Sequence, residues 1–292
     1  MESLDRLRRQ LESFEDLESV VRTMKTLAAV NIHHYEQAVR ALAVWYRTVE
    51  LGLHVVLRDL RVAAPPAPDR RRTGAAFVVF GSDHGLCGRF NEDVAGRAVA
   101  AVRAGPAAPR VLSVGARGAQ RLAHAGIAVE DTLPVPGSVA GITATAREVL
   151  LRVDAWRDAG IGTVDLVYGR HLSNALSEPT VQRLLPVDFA AFRALEAEPW
   201  ASRSIPTYSM ERDALLSALL RQYFFVSVFR ACAESLASET GARLVAMQAA
   251  EKNLAERQGE LGAAFRRARQ DRITAELLEL VAGYELASDG RG

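Results

Sequence analysis

All eleven prolines of this 292-residue chain fall between Pro65 and Pro206. A proline inside a helix removes a hydrogen bond and clashes with the preceding turn, at a cost of about 3 kcal/mol. Two proline-free ends therefore predict two long helices flanking a compact middle. The apolar spacing agrees. Leu4, Leu7, Leu11, Phe14, Leu17, Val21, Met24 and Ala28 recur at steps of three and four, and Ser3 is placed to cap them. The stripe continues through Ile32, Tyr35, Val39, Leu42, Tyr46, Val49, Leu53 and Val56. Such spacing lays one apolar face along a helix. Ala63 to Asp69, rich in proline, reads as a stiff turn that ends it.

The C-terminal end repeats the pattern with Leu215, Leu219, Phe225, Phe229, Cys232, Leu236, Leu244, Met247, Leu254, Leu261, Phe265, Ile273, Leu277, Leu280 and Tyr284. Gly241, Gly259, Gly262 and Gly283 interrupt it and predict close helix contact or local weakness. At 1.5 Å per residue, helices of about 58 and about 78 residues are rods of roughly 85 and 115 Å. A domain of this size is only about 40 Å across. A stripe that no domain can cover must be covered by another helix, so the two ends are expected to pair as an antiparallel coiled coil with the C-terminal helix overhanging.

The middle reads as a Rossmann-like α/β domain. Strands are expected at Ala75–Phe80, Arg110–Val114, Val164–Tyr168 and Val181–Val187, the last on an edge because of Pro186. Helices are expected at Asn91–Val102, Gly118–Ala125 and Thr143–Ala159. Strands alternating with helices imply a mostly parallel sheet. The expected division is a helix over 1–64, the α/β domain over 65–206 and a helix over 207–292.

Composition excludes several classes. Hydrophobic residues make up 49% and charged residues 24%, with net charge +1. There is no global basic field for nucleic acid. Charges break the richest apolar stretches, so no membrane-spanning helix is expected. The opening residues MESLDRLRRQLESFEDLE mix acids and bases without an apolar core, unlike a signal or transit peptide. Cys87 and Cys232 form no CxxC pair and read as reduced thiols.

Catalytic motifs are wanting. No GxxxxGK[ST] is present. Gly115-Ala116-Arg117-Gly118 reads as a strand-to-helix turn, and Gly81-Ser82-Asp83-His84-Gly85 misses GxSxG by one position. The histidines make no HExxH, and His33 and His34 point in different directions on a helix. No metal, cofactor or catalytic residue is expected. Arg266, Arg267, Arg269 and Arg272 point all around the far end of the last helix, which suits a surrounding collar with acidic loops better than one partner helix.

Three stretches resemble the gamma subunit of F-type ATP synthases. Val20-Val21-Arg22-Thr23-Met24-Lys25-Thr26-Leu27-Ala28 is similar to its Ile-Thr-Lys-Ala-Met-Lys-Met-Val-Ala. Gly81-Ser82-Asp83-His84-Gly85-Leu86-Cys87-Gly88 resembles GSDRGLCG, with Asn91 shortly after. Ser238-Glu239 and Ala242 to Met247 resemble SExxARMxAM, and Arg267-Ala268-Arg269-Gln270 with Ile273 to Leu277 resembles RARQxxITxEL. The departures are Ser209-Met210 after Tyr208 in place of Glu-Pro, Phe265-Arg266 for Tyr-Asn, Asp271 for a small residue, and a polar end. They read as a divergent branch of the alternative, ion-translocating F-type ATPases, and the lack of a redox-regulatory cysteine insertion of the chloroplast kind points to a bacterial enzyme.

The resemblance implies a non-catalytic rotary shaft. It would stand once per complex inside the alpha and beta hexamer and rest with an epsilon subunit on the membrane c-ring. It would lie peripherally on the cytoplasmic face of a bacterial inner membrane and pass torque between ion transport and ATP synthesis or hydrolysis. It assigns coupling and shaft contacts to Met24, Lys25, Arg243, Arg269, Gln270, Thr274 and Glu276. It marks Gly81, Ser82, Asp83, Gly85, Cys87 and Gly88 as the family turn. The rival readings are an α/β-domain enzyme with oligomerisation arms, which predicts ligand binding by that domain, and a coiled-coil spacer, which predicts a homo-oligomer.

Overall fold

Helix α1 runs Glu2–Asp59 and the last helix, α5, runs Arg212–Asp289, with 58 and 78 residues. The computed structural model describes residues 2–59, 74–106, 108–173, 176–189 and 206–289. The turn expected at Ala63–Asp69 lies outside them. By compactness the chain forms one unit from Met1–Leu27 with Ala246–Gly292 and another from Ala28–Val245.

In the Ala28–Val245 unit the periodic positions of α1 carry out their predicted burial. Ala28, Ile32, Tyr35, Leu42, Val49, Leu53 and Val56 are buried. Their partners on α5 include Tyr223, Val226, Cys232 and Leu236. The Tyr46 and Tyr223 rings pack tilted with centroids 5.9 Å apart, and Trp45 and Phe225 likewise at 6.4 Å. Burial raises the phenols of both Tyr35 and Tyr46, and at Tyr35 Glu239 and Cys232 of α5 add to the rise. Rising numbers on α1 meet falling numbers on α5, so the helices pair antiparallel.

The five-stranded sheet has the order β3-β2-β1-β4-β5. Its strands are β1 Gly74–Phe80, β2 Arg110–Val114, β3 Asp131–Leu133, β4 Ile161–Ser173 and β5 Leu176–Leu185. The helices between them are α2 Phe90–Ala104, α3 Ala116–His124 and α4 Val139–Asp158. β1, the central strand, is buried on both faces, as parallel sheets require. Ala75, Phe77 and Val79 join the core under α2 and α3, whereas Ala76, Val78 and Phe80 join the core with α4, α1 and α5. This alternation is the two-residue period of a strand. The β1–β2, β1–β4 and β2–β3 pairings are parallel, and β4–β5 is antiparallel.

Several boundaries differ from the sequence expectation. Glu2 already lies in α1, so Ser3 sits inside the first turn. β3 went unpredicted because three residues with an exposed middle carry no periodic signal. α4 starts four residues before Thr143, where extended Ser138 accepts from the Gly141 N–H at 3.4 Å; Gly141 disguised the helix. β5 starts at Leu176 and carries Pro179, tolerated because this strand is an edge. α5 runs unbroken through its glycines. A side chain at Gly259 would meet nothing within 4 Å, so close helix contact does not explain that glycine. One window of α5 is long and apolar enough to cross a membrane by composition. The residues behind that score include Val226 and Val228, which are fully buried in the protein core.

In the unit formed by the chain ends, Leu4, Leu7, Leu11, Phe14, Val21 and Met24 are half-buried and Met247 is buried, whereas Leu17 is 50% exposed. Lys25 Nζ donates to the Glu251 carboxylate at 2.6 and 2.9 Å. Every residue of α5 from 269 to 282 is exposed, including Ile273, Leu277, Leu278, Leu280 and Val281. An exposed far end is what the greater length of α5 predicts.

Candidate functional site

The family turn joins the end of β1 to α2, and its residue types follow from the bonds it makes. Ser82 N donates to Asn91 Oδ1 at 3.0 Å, and Asn91 Nδ2 donates to Ser82 Oγ at 2.7 Å and Cys87 Sγ at 3.3 Å. Ser82 Oγ in turn donates to the His84 carbonyl at 2.7 Å. Ser82, Asn91 and Cys87 are all buried, so each polar group must find its partner inside. Burial pushes the Cys87 thiol up, with Ser82 opposing. Asp83 leaves the turn to serve two other elements, accepting from Ala116 N at 2.9 Å and Val135 N at 2.8 Å. A carboxylate at a helix N-terminus complements its unpaired N–H groups.

The glycines have separate reasons. A Cβ on Gly81 would lie 2.7 Å from Gly118 Cα, so the β1 turn and the start of α3 touch backbone to backbone. Gly88 holds φ +56, a conformation that favours glycine. Gly85 offers its carbonyl to Arg243 Nη2 at 3.4 Å, a bond any residue could make, and a Cβ there would meet nothing within 4 Å. Arg243 also donates to Glu239 Oε1, one helical turn earlier, at 2.6 Å. Burial pushes the Glu239 carboxyl up, with Arg243 opposing that rise. Arg243 is thus the coupling candidate that the structure joins to the family turn.

The other candidates stand apart from the turn. Met24 is half-buried and Lys25 is held by Glu251. Arg269, Gln270, Thr274 and Glu276 are exposed within two turns of α5. There Thr274 Oγ1 donates to the Gln270 carbonyl at 3.0 Å, and Glu276 accepts from Arg272 at 2.8 Å. No single constellation gathers these residues, which suits contact with surrounding surfaces and not chemistry at a point. Sequence reading missed Ser235, and it met Ser238 only as part of a family motif without giving it a role; small residues in a helical stripe show no bonding role until the sheet is placed.

Open α/β sheets bind ligands outside the carboxyl ends of strands where the strand order reverses. That place here lies between β1 and β4, and the chain fills it. The ladder ends at Val79 opposite Val167. Just beyond it, Ser235 Oγ donates to the Phe80 carbonyl at 3.0 Å and Ser238 Oγ to the Gly169 carbonyl at 2.8 Å. A Cβ on Gly169 would sit 3.0 Å from Phe90 Cε2 and from Ser238 Cβ. Among the described residues no group of three His, Cys, Asp or Glu could hold a metal ion.

The molecule is thus a doubly wound domain whose usual ligand crevice is filled by its own terminal helix, joined to long antiparallel helices. The ATP synthase family model matches residues 3–286. The ATP synthase gamma chain of Geotalea uraniireducens is 29% identical over 293 residues, covering 98% of this chain and 99% of that one. That of Moorella thermoacetica is 29% identical over 287 residues, covering 96% and 97%. The rotor of the Euglena gracilis mitochondrial ATP synthase has a TM-score of 0.64 at 17% identity, covering 93% of this chain and 99% of that one. The central stalk and c-ring structure of the Tetrahymena thermophila enzyme gives a TM-score of 0.56 at 20% identity, covering 79% and 99%. At these identities the structural likeness is one of fold. The chain belongs to the ATP synthase gamma-chain family, the non-catalytic, torque-transmitting central stalk of that enzyme. As such it is a peripheral component on the membrane, and the beta subunit carries out the catalysis.

Proposed function

We propose that this chain turns, one copy per complex, within a hexamer of alternating alpha and beta subunits and rests with an epsilon subunit on the membrane c-ring. It works on the cytoplasmic face of a bacterial inner membrane. Ion flow turns the ring, the ring turns this shaft, and the shaft changes the catalytic beta sites in sequence. The functional parts are the two long helices, α1 and α5, and the domain between them. Supporting this reading most strongly is the run from Arg269 to Ala282, a helix with every residue exposed and five large apolar side chains among its charges. A lone helix of that kind is stable only when something surrounds it.

In this reading Arg269, Gln270, Thr274 and Glu276 meet collar loops, as do Met24 and Lys25, and Arg243 braces the family turn against the shaft. The alternative enzyme reading needs an open ligand crevice in the α/β domain, and Ser235, Ser238 and Phe90 occupy that space. Native mass spectrometry of the chain mixed with cognate alpha and beta tests the proposal. One copy per hexamer is expected. Two or more copies, or a homo-oligomer that ignores alpha and beta, would contradict it.

A further inference from the structure

A shaft that carries torque must not twist within the domain that delivers it, and the structure shows how this is prevented. From Ala231 to Gly241, α5 is buried at every position, on all sides of the helix. Most of those residues are small, so the surface offers shallow ridges. Apolar contact of that kind is non-directional and resists separation better than rotation. Hydrogen bonds have fixed directions. Two of them enter the fork where β1 and β4 part: Ser235 Oγ to the Phe80 carbonyl and Ser238 Oγ to the Gly169 carbonyl. Two residues further along β4, His171 Nε2 pairs with Glu36 Oε1 of α1 at 2.9 Å. The side chains of that pair are 7% and 19% exposed. The end of β4 therefore grips both long helices, α5 through Gly169 and α1 through His171.

We infer that this fork is a torsional lock, with Ser235, Ser238 and the His171–Glu36 pair as its positioning residues. The inference rests on the rotor reading given above. Turning α5 by about 20° moves a Cα, on a cylinder of about 2.3 Å radius, by ~0.8 Å. The Oγ lies farther from the axis than the Cα and moves further, which lengthens and bends the 2.8 Å bond. The pins therefore act at small angles, before the core itself has to deform.

The test uses the assembled complex with the collar fixed and a bead on the α/β domain. The bead is attached through Leu151→Cys, since Leu151 is 69% exposed and both native cysteines are buried. The readout is the angular variance of the bead during pauses. In the Ser235→Ala/Ser238→Ala and His171→Leu complexes the variance should rise about twofold or more, with hydrolysis by the collar within about twofold of the parent. His171→Gln keeps a donor for Glu36 and should restore the narrow distribution. Should the double variant fail to assemble, the His171 pair still decides. Variance equal to the parent in assembled His171→Leu would overturn the lock. A parent complex whose bead never rotates would remove the rotor reading and the lock with it.

Discussion

The Asp83 carboxylate accepts the Ala116 N–H at 2.9 Å, so the first turn of α3 is closed by a side chain from the turn that follows β1. The same carboxylate takes the Val135 N–H beyond β3. Asp83→Ala orphans both donors. Loss of a helix-capping side chain costs about 0.5–2 kcal/mol, and the second lost bond adds about 1 kcal/mol. Asp83→Asn keeps an acceptor oxygen and should lose less. Urea melting of the purified chains would show this order, and parent-like stability of Asp83→Ala would contradict the assignment.

That double role shows where sequence reading stops. The long helices were legible because burial at Ile32, Tyr35, Leu42, Val49 and Leu53 follows a regular period. β1, β2 and β4 were legible as short apolar runs. β3 was not, because its pairing with β2 comes from neighbours distant in sequence and not from its own residues. The family turn could be recognised as a motif, but why it needs Asp83 could not be read before α3 and the segment after β3 were in place. The serine pins on the sheet fork were hidden for the same reason.

Glu239 makes a pH-dependent contribution. Burial raises its carboxyl above the ordinary range, and Arg243 offsets part of that rise. A carboxyl whose pKa is raised on folding binds its proton more tightly in the folded state. Its contribution to stability is full below the unfolded pKa, about 4.3 for Glu, and is lost as pH rises through the folded pKa. Glu239→Gln, which can still accept from Arg243, removes that loss. The melting temperature of the variant minus that of the parent should increase as pH rises from about 4.3 and then level off. A difference constant with pH would contradict the buried carboxylate.

Both thiols should be inert in the folded chain. Cys232 is pushed up to about 12 by burial, with Glu239 adding to the rise, and Cys87 is raised as well. At neutral pH the reactive thiolate of Cys232 is then on the order of one part in 100,000. A chromogenic disulfide reagent should titrate neither cysteine in the native chain and both in denaturant. Rapid labelling of either in the native state would show that the core around α5 is open.

Arg269→Ala and Gln270→Ala should lower coupled turnover far more than stability. Both residues are exposed, and exposed substitutions usually stay within about 0.5 kcal/mol. A charge-assisted contact made to the collar only in a rotational transition state is worth roughly 1.5–3 kcal/mol. Its loss slows turnover by about tenfold to a hundredfold. Hydrolysis and ion pumping by purified, fully assembled variants check this beside their melting curves. Parent-like turnover would misplace the contact, and a large fall in melting temperature would make these residues structural.

The most direct test of the rotor itself is to watch this chain move. With the alpha and beta collar held on a surface and a bead on the α/β domain, MgATP should drive rotation in one direction, pausing once for each catalytic site. Steady hydrolysis by the collar while the bead only fluctuates about a fixed angle would contradict the account.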